Sequence, residues 1–404
     1  MKTLKLILLC CCFLSIEFQT FGQLAMEKKL QTQFLLAEDN SIIELPEGNF
    51  QLSKTLSLEG KKNIIIRGKG IDKTTLNFLG QTTGAEGIKI SNSENIKLEN
   101  FTAQNAKGDL IKTVEVKSIT FKNIKAEWTN GPKSTNGSYA LYPVLCENVT
   151  IDSCIAIGAS DAGIYVGQSK FIQVKNCIAF QNVAGIEIEN SLYAEVFNNK
   201  AYGNTGGILV FDLPDLIQKK GGHVLVHHNL VEENNLDNFA PKGNIVGNVP
   251  RGTGVLVLAT NNVEIFNNNF RNHKTFGAGI ISYYMTEIPI HDKEYDPYPA
   301  GIYIHDNQFE RKPGRVPIKG RFGKLYRILL KVGKNPPMIV YDGIKDPKKL
   351  NAQGDFYPEN KICISNNTPQ SFMVLDAEHN FKGKIWNDPA LVCDLISTKK
   401  VDIK

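Results

Sequence analysis

The sequence predicts an all-β fold, a right-handed, single-stranded parallel β-helix (a solenoid) closed by a cap at each end. A strand-like segment recurs along the chain, and its reference position moves from Val149 to Ile172 and then to Ala194, intervals of 23 and 22 residues. Within the segments apolar and polar residues alternate, as Ile164 does with Tyr165, which is typical of a strand with one buried side. A repeat this short cannot bury its apolar side alone, whereas stacked coils about 4.8 Å apart form a continuous core. No amphipathic helices separate the strands, which argues against helical bundles and doubly wound folds.

The first element in chain order is a predicted secretory signal peptide at residues 1–22. Lys2 and Lys5 form its basic start, and an apolar run too short to span a bilayer follows. Small residues near its end predict cleavage between Gly22 and Gln23. No later run is apolar enough to be an integral membrane segment. The sequence therefore predicts a secreted or periplasmic protein.

Three further segments follow the signal peptide. Residues 23–44 form the predicted N-terminal cap, because residues 24–37 place Leu and Met at helical spacing. Residues 45–310 contain the repeats and form the predicted β-helix. Residues 311–404 lose the repeat and gain Pro, Gly and Lys, so they are predicted to be an irregular cap packed back on the helix.

Composition narrows the choice of partners. Hydrophobic residues make up 42% of the chain, which is ample for a continuous core, and the formal net charge is only +5. So mild a charge does not predict a nucleic-acid partner, and it is compatible with an acidic polysaccharide. We expect a monomer.

Five cysteines remain after the predicted cleavage: Cys146, Cys154, Cys177, Cys363 and Cys393. An odd, scattered set is neither a disulfide framework nor a zinc pattern. An exported protein can form a disulfide, and Cys363–Cys393 is the pair we expect; the alternative is that several cysteines are small buried hydrophobes. The repeat places Cys154 directly over Cys177.

A column of polar residues lies four positions after each reference position and is predicted to stack at a turn. Its members are Asn100, Asn123, Ser153, Asn176, Asn198, His228 and Asn267. Side-chain amides in such a column can bond backbone groups or the next Asn, so we interpret the column as structural.

Several motifs carry a family resemblance: NGSYALYPV, ASDAGIYVGQS, VAGIEIENS, NTGGILVFDLP, NFAPKGN and GTGVLVLA. With them the chain resembles the pectate-lyase-like superfamily of right-handed parallel β-helices, and within it a bacterial family named for its β-helix repeat. The resemblance implies a carbohydrate-binding or sugar-cleaving protein. The chain is more distantly similar to alginate (mannuronan) C5-epimerases. Their Asp-Pro-His-Asp motif falls here on Tyr142-Pro143-Val144-Leu145, so their histidine base is not carried over.

The repeat places Tyr142, Tyr165 and Glu187 in one outward column on consecutive coils, with Asp161 at the start of its strand. We predict these four as catalytic residues. Lyase or epimerase chemistry on a uronate needs a base, an acid and a cation for the developing carboxylate charge. The two tyrosines, about 5 Å apart by coil spacing, would supply base and acid. A tyrosine base needs its pKa lowered by a cation.

Loops beside this column supply the predicted substrate-binding residues. Trp128 and Lys133 lie in the segment 127–138, and Arg251 ends the segment 237–251. Glu189 lies in a second outward column two residues further along the strand, and Gln168 lies at the turn beyond it. Lys133 or Arg251 would neutralise a substrate carboxylate, and aromatic side chains offer apolar faces to sugar rings.

The carboxylates allow two other interpretations. Glu187 and Glu189, two residues apart on one strand, are separated by about 6.6 Å, a distance that suits an inverting glycoside hydrolase. Together with Asp212 they would alternatively hold Ca²⁺ through oxygen ligands, although the fold requires no cofactor.

The function predicted first is an exported carbohydrate-active protein that acts on a uronate-containing polysaccharide by lyase or epimerase-type chemistry. The alternative from another class is a non-catalytic glycan-binding or envelope scaffold module. Inverting hydrolysis is the second alternative.

Overall fold

A computed structural model describes residues 24–403, in which the strands of successive coils stack in parallel. The predicted signal peptide lies outside the described residues. Val149 pairs with Ile172 and Ile172 with Ala194, so the register counted from the sequence is confirmed. The chain is a parallel β-helix.

The N-terminal cap is helix α1, residues 24–35. Leu30 and Phe34 are fully buried against the end of the apolar core. The carboxylate of Glu27 accepts hydrogen bonds from the backbone N–H groups of Ser53 (2.8 Å) and Lys54 (3.0 Å). The helix thereby covers the first coil and satisfies backbone donors at its edge, which agrees with the predicted helical cap.

The strands that precede the candidate site and those that carry it follow in chain order. The first group is β1 (Ile42–Glu44), β2 (Gly48–Gln51), β3 (Lys54–Glu59), β4 (Lys62–Arg67), β5 (Thr74–Asn77), β6 (Thr83–Ser91), β7 (Glu94–Gln104), β8 (Ile111–Val114) and β9 (Lys117–Glu127). The second group is β10 (Tyr139–Val144), β11 (Glu147–Asp152), β12 (Ile155–Ile157), β13 (Ala162–Gly167), β14 (Lys170–Lys175), β15 (Ile178–Phe180), β16 (Ala184–Glu189), β17 (Leu192–Phe197), β18 (Lys200–Tyr202), β19 (Gly206–Phe211), β20 (Gly222–His227) and β21 (Leu230–Glu232).

The remaining strands and short helices complete the described chain. The strands are β22 (Thr253–Leu258), β23 (Asn261–Phe266), β24 (Asn269–Arg271), β25 (Phe276–Ile281), β26 (Ala300–His305), β27 (Gln308–Glu310), β28 (Ile339–Tyr341), β29 (Ile362–Ser365), β30 (Phe372–Val374) and β31 (Ile385–Trp386). Helix α2 (Arg321–Lys324) continues into a π-helical turn, Leu325–Leu329. Single 3₁₀ turns occur at Ile245–Asn248, Tyr283–Thr286, Pro347–Lys349, Pro358–Asn360, Ala377–His379 and Pro389–Leu391.

These strands form two sheets. The first sheet has 12 strands, among them β10, β13, β16, β19, β22 and β25. The second has 19 strands in two rows, which the long strands β7 and β9 join because each belongs to both rows. The pairings between named strands are parallel except for β30 with β31. Parallel strands β28, β29 and β30 extend the sheets beyond residue 310, where the sequence predicts the irregular cap to begin.

Both sides of the first sheet are covered in its middle coils. Every residue of β13, β16, β19, β22 and β25 is buried. The inner side packs in the core of the coil, while the outer side packs against Val246, Val249 and Tyr326 from loops and the C-terminal segment. The alternation in the sequence predicts only the inner side, because the loops that cover the outer side come from distant parts of the chain.

The predicted polar column lies at a turn, where the side-chain amide of Asn123 donates to Asn100 at 2.8 Å, and a second, buried column follows it by one residue. Asn198, His228 and Asn267 have φ near +55°, the left-handed turn conformation that Asn tolerates. The buried, hydrogen-bonded ladder is the next column, made of Asn199, Asn229, Asn268, Asn307 and Asn367. A second ladder contains Asn182, Asn204 and Asn234. The backbone accounts for the two columns, because the left-handed residue turns its own side chain outward and the next one inward.

The cysteines behave in two ways. Cys363 and Cys393 form the predicted disulfide. Cys154 and Cys177 are stacked as predicted, with a 3.4 Å hydrogen bond from the backbone N–H of Cys154 to the sulfur of Cys177, but both thiols are free and buried, as is Cys146.

The last residues of the described C-terminal segment pack on the coil. The backbone N–H of Thr398 donates to Glu264 at 2.7 Å, and Gln173 donates to the carbonyl of Val401 at 3.2 Å. These bonds attach the end of the chain to the second sheet.

Candidate functional site

The predicted column is present on the outer side of the first sheet. Tyr142 of β10 lies one coil before Tyr165 of β13, which pairs with Glu187 of β16. Gly167 pairs in turn with Glu189. The repeat therefore brings together two tyrosines and two glutamates from three consecutive coils, at the positions the sequence predicts.

The carboxyl groups of this site are buried. Relative exposure is 7% for Asp161, 2% for Glu187, 8% for Glu189 and 0% for Asp212. The amide of Asn244, in the segment 237–251, donates to Asp161 at 3.1 Å, so this segment lies over the site. Sequence reasoning placed the segment correctly and missed Asn244, whose contact spans the 83 positions between the two residues.

A third tyrosine completes the aromatic part of the site. The ring of Tyr139 lies 4.5 Å from that of Tyr142 and 4.3 Å from that of Tyr165, while the latter two are 5.0 Å apart. The hydroxyl of Tyr165 donates to Glu189 at 2.5 Å. Tyr139 is the first residue of strand β10, and its side chain does not follow the in–out alternation of the strand. The predicted column omits it for that reason. We name Tyr139, Tyr142 and Tyr165 the tyrosine triad.

Lys112 is the cation of the site, and the sequence analysis missed it. Its ammonium lies 4.7 Å from the centre of the Tyr142 ring and 3.8 Å from the carboxylate of Asp109. Lys112 pairs with Tyr142 in the register of β8 and β10. Extending the predicted column by one coil toward the N-terminus would have found it.

Burial shifts the acid–base behaviour of these groups. Desolvation raises the pKa of Asp161, Glu189 and Asp212 to about 7 and that of Asp109 to about 6. It also raises the pKa of Glu187, with the charges of Asp161 and Glu189 adding to the shift. Asp161, Glu189 and Asp212 therefore titrate close to neutral pH, where acid–base catalysts are most effective.

The same burial acts against a tyrosine base. Desolvation, with nearby carboxylates adding to it, raises the pKa of Tyr139, Tyr142 and Tyr165 above the usual range. The hydroxyls keep their protons at neutral pH. Tyrosines in this setting can donate a hydrogen bond or a proton, and the base role predicted for one of them does not fit.

Four predicted binding residues have other roles. Trp128 is 5% exposed in the core, where its indole N–H donates to the carbonyl of Ala106 at 2.9 Å. Lys133 is exposed in the segment 127–138. Arg251 pairs with Asp237.

Gln168 also has a structural role. It adopts a left-handed turn with φ 52°, and its side-chain oxygen accepts the backbone N–H of Ile217 at 2.9 Å. It therefore holds the loop after β19. Of the predicted binding residues, only Glu189 lies in the site.

The predicted calcium ligands do not form a ligand set. Within residues 24–403 no group of three or more His, Cys, Asp or Glu side chains is arranged to hold a metal ion. The Glu189 carboxylate is engaged by Tyr165, whereas neither carboxylate oxygen of Asp212 has a hydrogen-bond partner among the described residues. Glu187 and Glu189 alternate on one strand and Asp212 belongs to the next coil, so the three carboxylates do not converge on one point.

The raised pKa values predict a stability that falls as pH rises. Asp161, Glu189 and Asp212 bind protons more tightly when folded, so the folded state holds more protons than the unfolded state between about pH 4 and the raised pKa near 7. Their contribution is complete below the unfolded pKa and is lost as pH rises through the folded pKa. We expect a lower melting temperature at pH 8 than at pH 5, from a free-energy loss on the order of a few kcal/mol.

Thermal unfolding followed by circular dichroism at the two pH values checks this prediction. Glu187→Gln should reduce the difference between pH 5 and pH 8, because the amide carries no charge at either pH. Glu38→Gln, which alters an exposed carboxyl of the N-terminal cap, should leave it unchanged. A melting temperature that rises from pH 5 to pH 8 would contradict the buried, protonated cluster.

A parallel coil with a buried carboxyl and tyrosine cluster on one outer side defines a β-helix protein with a polar site between its first sheet and the covering loops. The chain belongs to the family described as right handed beta helix region, whose model matches residues 58–215 and 132–294, more than half of the chain. The predicted right-handed β-helix is thereby confirmed. None of the helices in the described part is long and apolar enough to cross a membrane.

Known proteins resemble parts of the chain. The pre-neck appendage protein of Bacillus phage B103 is 26% identical over 205 residues, which cover 42% of this chain and 23% of the phage protein. The chain spans less than a third of the length of the curated relatives it matches. The N-terminal fragment of bacteriophage phi29 gene product 12 has a TM-score of 0.50 at 14% identity, covering 81% of this chain and 57% of that one. The Azotobacter vinelandii mannuronan C-5 epimerase AlgE4 A-module has a TM-score of 0.47 at 15% identity, covering 81% and 79%. The likeness to the phi29 fragment shows the fold alone.

Proposed function

We propose that this protein is an exported carbohydrate-active enzyme that hydrolyses glycosidic bonds through the carboxyl groups of Glu187 and Glu189. One observation carries the proposal. Two carboxyl groups on the same side of one strand, beside the tyrosine triad, both have a pKa raised by burial, that of Glu189 to about 7. Hydrolysis is the second alternative function that the sequence predicts. It needs neither a tyrosine base nor the cations predicted in the loops.

The two glutamates suit different roles. Alternate residues of a strand lie about 6.6 Å apart, within the roughly 6.5–9.5 Å that leaves room for a water in an inverting hydrolase. Glu187 has a raised pKa and a carboxyl oxygen, Oε2, without a hydrogen-bond partner among the described residues, so it suits the acid that protonates the leaving oxygen. Glu189 has a pKa of about 7 and is oriented by the Tyr165 hydroxyl, so it suits the base that activates water.

Asp161 and the tyrosines support these roles. The charge of Asp161 helps to raise the pKa of Glu187 and so keeps the acid protonated. Tyr142 is half-buried with Lys112 over its ring, which places an amphipathic surface for sugar at the edge of the site. Substrate would enter on that side and displace the covering segment 237–251 from Asp161.

Lyase or epimerase chemistry on a uronate is the second candidate, and Lys112 is the observation that favours it. With the tyrosines protonated, a carboxylate such as Glu189 would take the C5 proton, Tyr165 would donate one, and Lys112 would neutralise the substrate carboxylate. We rank it second because Lys112 is already paired with Asp109 and the acidic site disfavours a polyanion.

Export is part of the proposal. The Cys363–Cys393 disulfide supports an oxidising compartment, since disulfides persist there and are rare in the cytosol. The predicted signal peptide would direct the chain to it.

Incubation with a panel of neutral and uronate polysaccharides tests the proposal. Hydrolysis releases reducing ends without ultraviolet absorbance, whereas a lyase forms an absorbing unsaturated product, and an epimerase changes only the sugar configuration seen by NMR. New reducing ends with inverted anomeric configuration are the expected result. Retained glycan binding without any of these products would favour the non-catalytic module and overturn the enzymatic proposal.

A further inference from the structure

Residues 311–334 form the most basic part of the chain. They contain nine Lys and Arg residues and no Asp or Glu, whereas the whole chain has a formal net charge of +5, so the remainder is net acidic. We name this stretch the basic segment. Its cations are Arg311, Lys312, Arg315, Lys319, Arg321, Lys324, Arg327, Lys331 and Lys334.

The basic segment is anchored by its inner side and exposes aliphatic residues on its outer side. Tyr326 and Leu330 are buried, at 0% and 2% exposure, against the outer side of the first sheet. Ile318, Ile328 and Leu329 are exposed by 46%, 61% and 56%. Packing in the molecule therefore explains the buried side chains and leaves the exposed ones without a role in the fold.

Most of its cations are free of ion pairs. Lys319 pairs with Asp237, Arg321 with Glu287, and Arg311 donates to backbone carbonyls. No ion pair in the described part of the chain involves the other six, and Lys312, Arg315, Lys324, Lys331 and Lys334 are exposed. Their charge faces solvent beside the exposed aliphatic residues.

An apolar cavity of about 430 Å³ opens beside these residues. Phe322, Leu325, Ile328 and Leu329 line it on one side, and the strands β19, β22 and β25 form the other. Arg321 and Lys324 lie at its lining as well. A cavity with aliphatic walls next to cations has the chemistry of a site for an amphiphile with an acyl chain and an anionic headgroup.

We propose that the basic segment is a membrane-docking surface, which binds an anionic phospholipid bilayer and accepts an acyl chain in the adjoining cavity. Exposed aliphatic residues flanked by Lys and Arg are the pattern of proteins that lie on a bilayer, with anionic headgroups bound by the cations. An acidic polysaccharide would use the cations and leave the aliphatic residues and the cavity unoccupied. The inference is independent of the proposed hydrolysis.

Vesicle flotation with the full mature chain tests this surface. We expect binding to phosphatidylcholine vesicles that contain phosphatidylglycerol, little binding to phosphatidylcholine alone, and weaker binding at high salt. The double variant Ile328→Ser/Leu329→Ser should lower the affinity for anionic vesicles about tenfold, because two aliphatic side chains lose their apolar contact. The double variant Lys324→Glu/Arg327→Glu should abolish the preference for anionic lipid.

Matched controls lie at the other end of the molecule. Leu35→Ser/Leu36→Ser removes two aliphatic residues that are 67% and 68% exposed on the N-terminal cap, and Lys28→Glu/Lys29→Glu makes the same charge change on α1. Both should bind vesicles like the wild type. Equal binding to neutral and anionic vesicles, equal losses in the controls, or unchanged binding of the Ile328→Ser/Leu329→Ser variant would each overturn the proposal. The last result would identify a binder of polyanions instead.

Discussion

Replacing Asn229 with alanine is expected to lower the free energy of unfolding by about 3–5 kcal/mol, because several buried polar groups lose their partners at once. The Asn229 side-chain oxygen accepts from both the backbone N–H and the side-chain amide of Asn199. Its own amide donates to the carbonyl of Val196 at 2.9 Å and to Asn268 at 3.0 Å. Alanine leaves these groups unpaired in a site closed to water.

Urea unfolding followed by circular dichroism measures this loss. The matched control is Asn198→Gly, one position before the ladder residue Asn199, where the residue is exposed and adopts a φ of +56°. Glycine adopts that conformation without strain, so the control should unfold close to the wild type. A cost below about 1 kcal/mol for Asn229→Ala would show that the ladder is not a main source of stability.

Replacing Glu187 with glutamine is expected to lower kcat for glycan hydrolysis by about 10²–10⁴, the usual contribution of a general acid. Glutamine keeps the shape of the side chain but cannot protonate the leaving oxygen. Loss of folding would not explain the result, since the amide is neutral and similar in shape to the protonated acid that burial favours at Glu187. The measurement is initial rates of reducing-end release on the best substrate of the panel.

A buried glutamate on the second sheet provides the control for Glu187. Glu195 is 4% exposed and bonds His227, far from the tyrosine triad in the register, so Glu195→Gln should leave kcat unchanged. Full activity of Glu187→Gln would remove Glu187 from the mechanism. Activity lost equally in both variants would indicate a general effect on the fold.

The sequence predicted the register of the coils well and the surroundings of the site poorly. Tyr142, Tyr165 and Glu187 stack as predicted, because a strand repeat of 22–23 residues leaves a single register that keeps the apolar side inward. The same register places Lys112 beside Tyr142, so the sequence was sufficient to predict its position. The position of the Trp128 side chain was not predictable, because a residue that follows the end of a strand can turn its side chain to the inner or to the outer side of the coil.

Contacts between distant loops account for the other differences. Arg251 pairs with Asp237 within its own loop, and Asn244 of that loop reaches Asp161 across 83 positions. No repeat relates these residues, so no pattern in the chain indicates which loop residue meets the site. The raised pKa values of the carboxyl groups have the same origin, because the loops that cover the site bury these groups.

The sequence by itself determined the β-helix, the order of its coils and the residues that share an outer column, because each follows from local alternation repeated at a constant interval. Only the tertiary structure decided that this column is buried, that Asp161 and Glu189 beside it titrate near pH 7 and that Asn199 rather than Asn198 belongs to the ladder. Those properties depend on which loops cover a surface and on which side of a left-handed turn a side chain falls. Both are set by contacts and backbone conformation that periodicity does not encode.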